Sequence, residues 1–234
     1  MEKLQNDMSV VERTAGVLQS SATRRKFLRN AGLTTAAGVA ILAVGCKKDE
    51  PTTPAAGTVD LGSGDVGILN YAYALEQLEA AFYVQAVSTP YTGMSAAELA
   101  VLTDIRDHEV IHREFFKAAL GSNAIQGLTP NFSSIDFTSR LGILNAAKAF
   151  EDTGVSAYNG AAQYISDINY LGLAGKIVSV EARHAALIRD LISNGTFADE
   201  LDANAKDIEK TPTAVVDIAN TFLTTKISKR GLPA

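Results

Sequence analysis

The chain has one cysteine, Cys46, in 234 residues. No intramolecular disulfide can form, and apart from Cys46 there is no thiol to build a zinc-cysteine site or serve as a nucleophile. Histidine is nearly as scarce, with three copies. The formal charge of -5 gives no large basic field, so nucleic acid is not an expected partner. The apolar run from Ala31 to Val44 is too short for a membrane-crossing helix, which takes ~20 residues. What is plentiful is apolar side chain, 47% of the whole and rich in Ala and Leu, which suits one well-filled helical core. A metal bound here would be held by oxygen and imidazole nitrogen.

Residues 1–45 read as an export signal. Thr23-Arg24-Arg25-Lys26-Phe27-Leu28-Arg29 resembles the twin-arginine motif, and the apolar run after it resembles a signal-peptide core. Leu42-Ala43-Val44-Gly45-Cys46 resembles a lipobox, with Ala43 where leucine is usual. On that resemblance Cys46 is the lipidated first residue of a mature protein exported to the periplasm or cell envelope, touching the membrane only through its lipid. The competing reading is a buried helix with a stray cysteine. Residues 46–62 are charged and then rich in Pro, Thr and Ala, the composition of a flexible tether.

From there the periodicity is helical throughout. A first helix is expected from about Asp65, as N-cap, to about Val87, with Ile68, Ala72, Leu75, Leu78, Phe82 and Ala86 on one stripe. Ser95-Ala96-Ala97-Glu98 has the form of a capping box and opens a second helix, running to about Leu120. Residues 121–137 show no helical period. At ~3.3 Å per extended residue they can return along a whole helix, which makes the second and third helices parallel. A third helix is expected over about Ser139 to Ile165 and a fourth over about Leu171 to Ile192. The extension 194–234 is polar to Lys210, then carries a short amphipathic helix with Val215, Val216, Ile218, Ala219, Phe222 and Leu223. The fold expected is all-α: a four-helix bundle over 63–193 and one added packing helix.

Two of the three histidines follow a glutamate by three residues, in Glu109-Val110-Ile111-His112 and Glu181-Ala182-Arg183-His184. Three residues along a helix return to the same face, so each pair presents a carboxylate and an imidazole together. Ile68-Leu69-Asn70 leads to Glu76 and Tyr83 with the same spacing by which Ile143-Leu144-Asn145 leads to Glu151 and Tyr158. The domain is thus a duplicated helical hairpin. One glutamate from each of two helices with a Glu-x-x-His from each of two others forms the ligand set of a di-iron or di-manganese carboxylate site. Glu79, one turn from Glu76, could share or replace its role; the repeat favours Glu76, because Glu79 falls on Gly154. His108 is turned about 100° from Glu109 and reads as a surface or packing residue. Tyr83 and Tyr158 read as core, or as hydrogen-bond partners of a ligand. Asn70 and Asn145 have no derivable role.

These motifs resemble those of ferritin-like proteins from about Gly64 to Ile192, and Leu75 to Tyr83 looks most like the exported group that includes desiccation-related proteins. The resemblance implies a bundle of two hairpins with a long crossover. It implies metal ligands at Glu76, Glu109, His112, Glu151, Glu181 and His184, two iron ions or manganese as cofactor, and redox chemistry with dioxygen or peroxide. It also admits a non-catalytic envelope protein for stress protection or metal binding, and leaves a homodimer open.

Overall fold

The computed structural model describes residues 57–234. The expected signal peptide, its arginine pair and Cys46 lie outside the described residues. Five α-helices follow one another: α1 Gly64–Ser88, α2 Ala96–Leu120, α3 Arg140–Ala162, α4 Ile168–Ile192 and α5 Pro212–Thr221. No helix among them is long and apolar enough to cross a membrane.

Local chemistry sets the helix ends. The Ser95 hydroxyl accepts from the Glu98 amide at 3.1 Å, the Ser139 hydroxyl from Gly142 at 3.0 Å, and Asp167 from Asn169 at 2.7 Å, each satisfying an orphan donor of a first turn. Asp65 does not cap its own helix as expected. Ser63 is the N-cap of α1, and Asp65 reaches across to accept from the Ser166 and Asp167 amides, both at 2.8 Å, just ahead of α4.

α1 and α2 pack as one hairpin, α3 and α4 as the other. The two are joined through α1 and α3, whose direction is shown by two crossed contacts. Tyr83 on α1 reaches Glu151 on α3, and Tyr158 on α3 reaches Glu76 on α1. Seven residues forward on one helix thus match seven residues back on the other, so α1 and α3 are antiparallel. With a short turn inside each hairpin, α2 and α3 must be parallel, and residues 121–139 provide the long crossover between them.

At the middle of this crossing, Glu79 lies against Gly154. A Cβ built on Gly154 would stand 2.9 Å from Glu79 Oε1. The two positions are equivalent in the internal repeat and meet where the hairpins cross. Side chains on both would collide, so the duplication is broken there.

α1 is buried on nearly every side, well beyond the single stripe read from sequence. The crossover and the chain ends cover its second face. Asn70 holds them: its Nδ2 donates to Leu61 O at 3.1 Å and Asn123 O at 2.9 Å, and its Oδ1 accepts from the Ile125 amide at 2.9 Å. Gln77 Oε1 accepts from the Leu128 amide at 2.8 Å. These bonds satisfy backbone that leaves water with the crossover. Asn145, the repeat partner of Asn70, is exposed. Phe132 from the crossover packs on Phe82 and Phe150 with ring centroids 6.1 and 5.9 Å apart, and Phe222 lies 4.8 Å from Phe150.

The expected tether ends earlier than residue 62. Val59 and Leu61 are buried, because Val59 pairs with the C-terminal strand of chain, its amide donating to Lys226 O and its carbonyl accepting from Ser228 N, both at 2.8 Å. α5 turns Val215, Val216 and Ala219 into the core. The segment before it crosses α3 at Gly160, where a Cβ would fall 1.8 Å from Lys210 O, so only glycine allows that approach.

Candidate metal centre

Four glutamates of the bundle interior have no exposure at all: Glu76 on α1, Glu109 on α2, Glu151 on α3 and Glu181 on α4. A glutamate cluster of this kind is costly unless other charges answer it. His112 and His184 stand among them. His112 Nδ1 lies 2.9 Å from Glu181 Oε1, 3.4 Å from Glu76 Oε2 and 3.8 Å from Glu109 Oε2. His184 Nδ1 lies 2.9 Å from Glu109 Oε1, 3.4 Å from Glu151 Oε2 and 3.5 Å from Glu181 Oε2. The two sets are near-copies, as the repeat demands.

All six expected residues therefore come together, in two groups whose donor atoms lie within 4.8 Å of one another and each of which could hold a metal ion: Glu76, Glu109, His112 and Glu181, and Glu109, Glu151, Glu181 and His184. Glu109 and Glu181 belong to both, offering one oxygen to each side. The eight atoms that form these groups are buried and meet only one another, in the imidazole–carboxylate contacts given above, with no hydrogen bond of good geometry. Buried polar atoms are nearly always well satisfied, so eight poorly satisfied atoms converging on two points fit cations as the missing partners. Carboxylate oxygen with imidazole nitrogen is a donor set for transition metals rather than for calcium or magnesium.

The tyrosines of the repeat set the outer carboxylates. Tyr83 donates to Glu151 Oε1 at 2.5 Å and Tyr158 to Glu76 Oε1. In each case the other oxygen, Oε2, faces the histidine. Burial, and then the neighbouring carboxylate, pushes both phenols well up, so they remain donors. Each tyrosine thus fixes the rotation of a carboxylate and leaves one oxygen for the site.

Burial pushes Glu76 well above the ordinary carboxylate range and Glu151 to about 8. Burial acts on Glu109 in the same direction, but hydrogen bonds from His112 and His184 outweigh it and bring the group down to about 2. Both imidazoles are disfavoured as cations by burial, yet their carboxylate contacts carry them up to about 12. Without metal these shifts favour protonated imidazoles and neutral outer carboxyls, protons standing in for the missing positive charge.

One residue departs from its sequence reading, and Glu79 follows the preference that the repeat gave. His108, although exposed, is tied to the site: its Nδ1 lies 2.9 Å from His184 Nε2, with the rings stacked at 5.1 Å. With Nδ1 of His184 toward a cation, its Nε2 carries the proton and donates to His108. Helical phase on α2 alone could not reveal this, since the partner stands on α4. By the repeat the opposite place is Val180, so His112 has no such support, and its side chain is 13% exposed against 5% for His184. Glu79 is buried but joins neither group; burial and the surrounding glutamates raise it well above its ordinary range, which favours its neutral form.

Comparison with curated proteins gives no match. A family model described as a ferritin-like domain matches residues 64–194, from the first residue of α1 to just past α4. With the paired hairpins, the long crossover and the buried glutamate-histidine cluster in place, the chain belongs to the ferritin-like family.

Proposed function

We propose that this protein is exported, held at the cell envelope by a lipid on Cys46, and carries two iron or manganese ions that react with dioxygen or peroxide. The observation that supports this most is the set of eight buried, poorly satisfied donor atoms in two groups sharing Glu109 and Glu181. Glu76 and His112 would hold one ion, Glu151 and His184 the other, and Glu109 and Glu181 both. Such a pair, when bound, would supply two electrons, one per ion, so that dioxygen with two protons would give hydrogen peroxide, or hydrogen peroxide with two protons would give two waters.

The chain's own part is positioning and proton management. Tyr83 and Tyr158 keep the outer carboxylates in one rotamer, and His108 does the same for His184. Protons displaced from His112 and His184 on loading leave through the exposed edge of His112 or through His108 at the surface. The apolar bundle excludes bulk water, so side reactions of the oxidant are limited.

Export by a twin-arginine route fits this reading, since that route moves folded proteins and allows metal to be installed beforehand. An anchored protein is poorly placed to close a storage cage, which argues against bulk iron storage. One observation favours a second reading, a non-catalytic metal-binding or stress-protection protein: the ligand carboxylates have no exposure, and closed sites hold metal more often than they turn over.

Metal analysis of protein from its native producer, with Fe(II)-oxidation and peroxide assays, tests the proposal. Two equivalents of metal, with turnover lost in Glu109→Ala and Glu181→Ala, support it. Bound metal without turnover supports the second reading, and protein without metal contradicts both.

A further inference from the structure

Beside the candidate centre lies a pocket that the site does not use. Its walls come from α1 to α4 and the turn ahead of α4, and every side chain in them is Ala, Ile, Leu, Phe or Tyr. Ala72 and Phe116 in its lining stand one helical turn from Glu76 and His112, and a third wall residue is Tyr158, whose hydroxyl is bonded to Glu76. The pocket therefore ends one side chain away from the centre, on the Glu76–His112 side. Its outer lining includes the half-buried Ala119, Tyr170 and Leu173.

Size and polarity narrow the occupant. The cavity volume is about 30 Å³, and a single water needs roughly 10–15 Å³. That is room for a diatomic molecule and too little for an organic substrate. Water gains little from walls of hydrocarbon and aromatic carbon, and apolar cavities of this kind stay dry and take up apolar gases instead. Hydrogen peroxide, a double hydrogen-bond donor, is disfavoured there on the same grounds.

We propose that this pocket stores dioxygen and delivers it to the Glu76–His112 half of the centre. The proposal rests on the reading of a metal pair that reacts with dioxygen, and it sharpens that reading: dioxygen arrives through the bundle wall, while protons and peroxide exchange on the side of the exposed histidine edges. His112 is the more open of the two histidines, so the half that the pocket meets is also the half with looser side-chain support.

Xenon is the probe for the pocket itself. Crystals of the full domain pressurised with xenon, with or without metal, are expected to show a xenon atom between Ala72, Phe116 and Tyr158. Leu173→Trp and Ala119→Leu, both at half-buried positions outside the centre, are each expected to abolish that peak. With iron loaded, both variants should slow oxidation by dioxygen several-fold while leaving metal stoichiometry and the rate with hydrogen peroxide unchanged; circular dichroism melts confirm that each variant is folded. No xenon in the wild-type pocket, or full-speed dioxygen reaction in both folded variants, overturns the route alone. Xenon bound in a protein whose Fe(II) does not react with dioxygen overturns the proposed oxidase chemistry and the route with it.

Discussion

Tyr83 on α1 donates a 2.5 Å hydrogen bond to Oε1 of Glu151 on α3, and Oε2 of the same carboxylate lies 3.4 Å from His184 Nδ1. One oxygen of Glu151 is thereby reserved for the protein and the other for the site. Tyr83→Phe keeps the packing and removes only the donor. Metal affinity on the Glu151–His184 side should fall by roughly 10–100-fold, the usual cost of losing a partner behind a ligand. Competition titration with a chromophoric chelator checks this; unchanged affinity would mean that the phenol is only core.

The Glu79–Gly154 contact makes a stability prediction. Gly154→Ala places a Cβ 2.9 Å from Glu79 Oε1, so the buried carboxyl must shift, and the net cost after the helix gain of alanine should be about 1 kcal/mol. Because burial favours the neutral form of Glu79, Glu79→Gln preserves shape and should leave the melting temperature nearly unchanged at neutral pH. The double variant Gly154→Ala with Glu79→Ala should recover much of the loss, a coupling visible in a thermal-melt double-mutant cycle.

Metal-free protein should be most stable in mild acid. His112 and His184 have folded pKa values raised to about 12, so their stabilisation is complete below the unfolded value near 6.5 and declines as pH rises toward 12. Glu151, raised to about 8, destabilises increasingly from its unfolded value of about 4.5 up to 8. Glu109, lowered to about 2, contributes stability above about 4.5 that is lost as pH falls toward 2. Together these place the maximum near pH 4.5, where Glu109 has gained its full contribution and Glu151 has not begun to lose its own. Metal loading should release protons and shift the maximum upward. Denaturant titrations across pH, with and without metal, test both statements.

His108→Ala should loosen one ion and spare the other. The His108 Nδ1 contact at 2.9 Å supports His184 alone, and Val180 occupies the equivalent place opposite His112. Affinity for one of two equivalents should drop roughly 10-fold or more, with the second unchanged. Metal counting after brief chelation should find stoichiometry falling toward one; equal loss of both would contradict the asymmetry.

The convergence of the six residues was legible in advance because helix geometry is local. A glutamate three residues from a histidine has a defined direction, and a duplicated spacing says that two such units exist. Glu76 could be preferred over Glu79 for the same reason, and the structure brings Glu76 into a donor group while Glu79 is left against Gly154. What escaped were contacts whose partners lie far along the chain. Asn70 joins residues 61, 123 and 125, and nothing in its own helix signals that. Asp65 looked like a cap for α1 but serves the backbone before α4, 101 residues away. His108 pointed away from its own motif and toward the other hairpin's. Val59 and Leu61 sat in a stretch whose composition reads as tether, yet the C-terminal chain supplies the pairing that buries them.

A crystal structure of the metal-loaded protein with anomalous scattering tests the central claim most directly. Two peaks are expected inside the bundle, one beside Nδ1 of His112 and one beside Nδ1 of His184, with Glu109 and Glu181 each touching both. A single peak, or metal found only away from these residues in fully loaded protein, would contradict it.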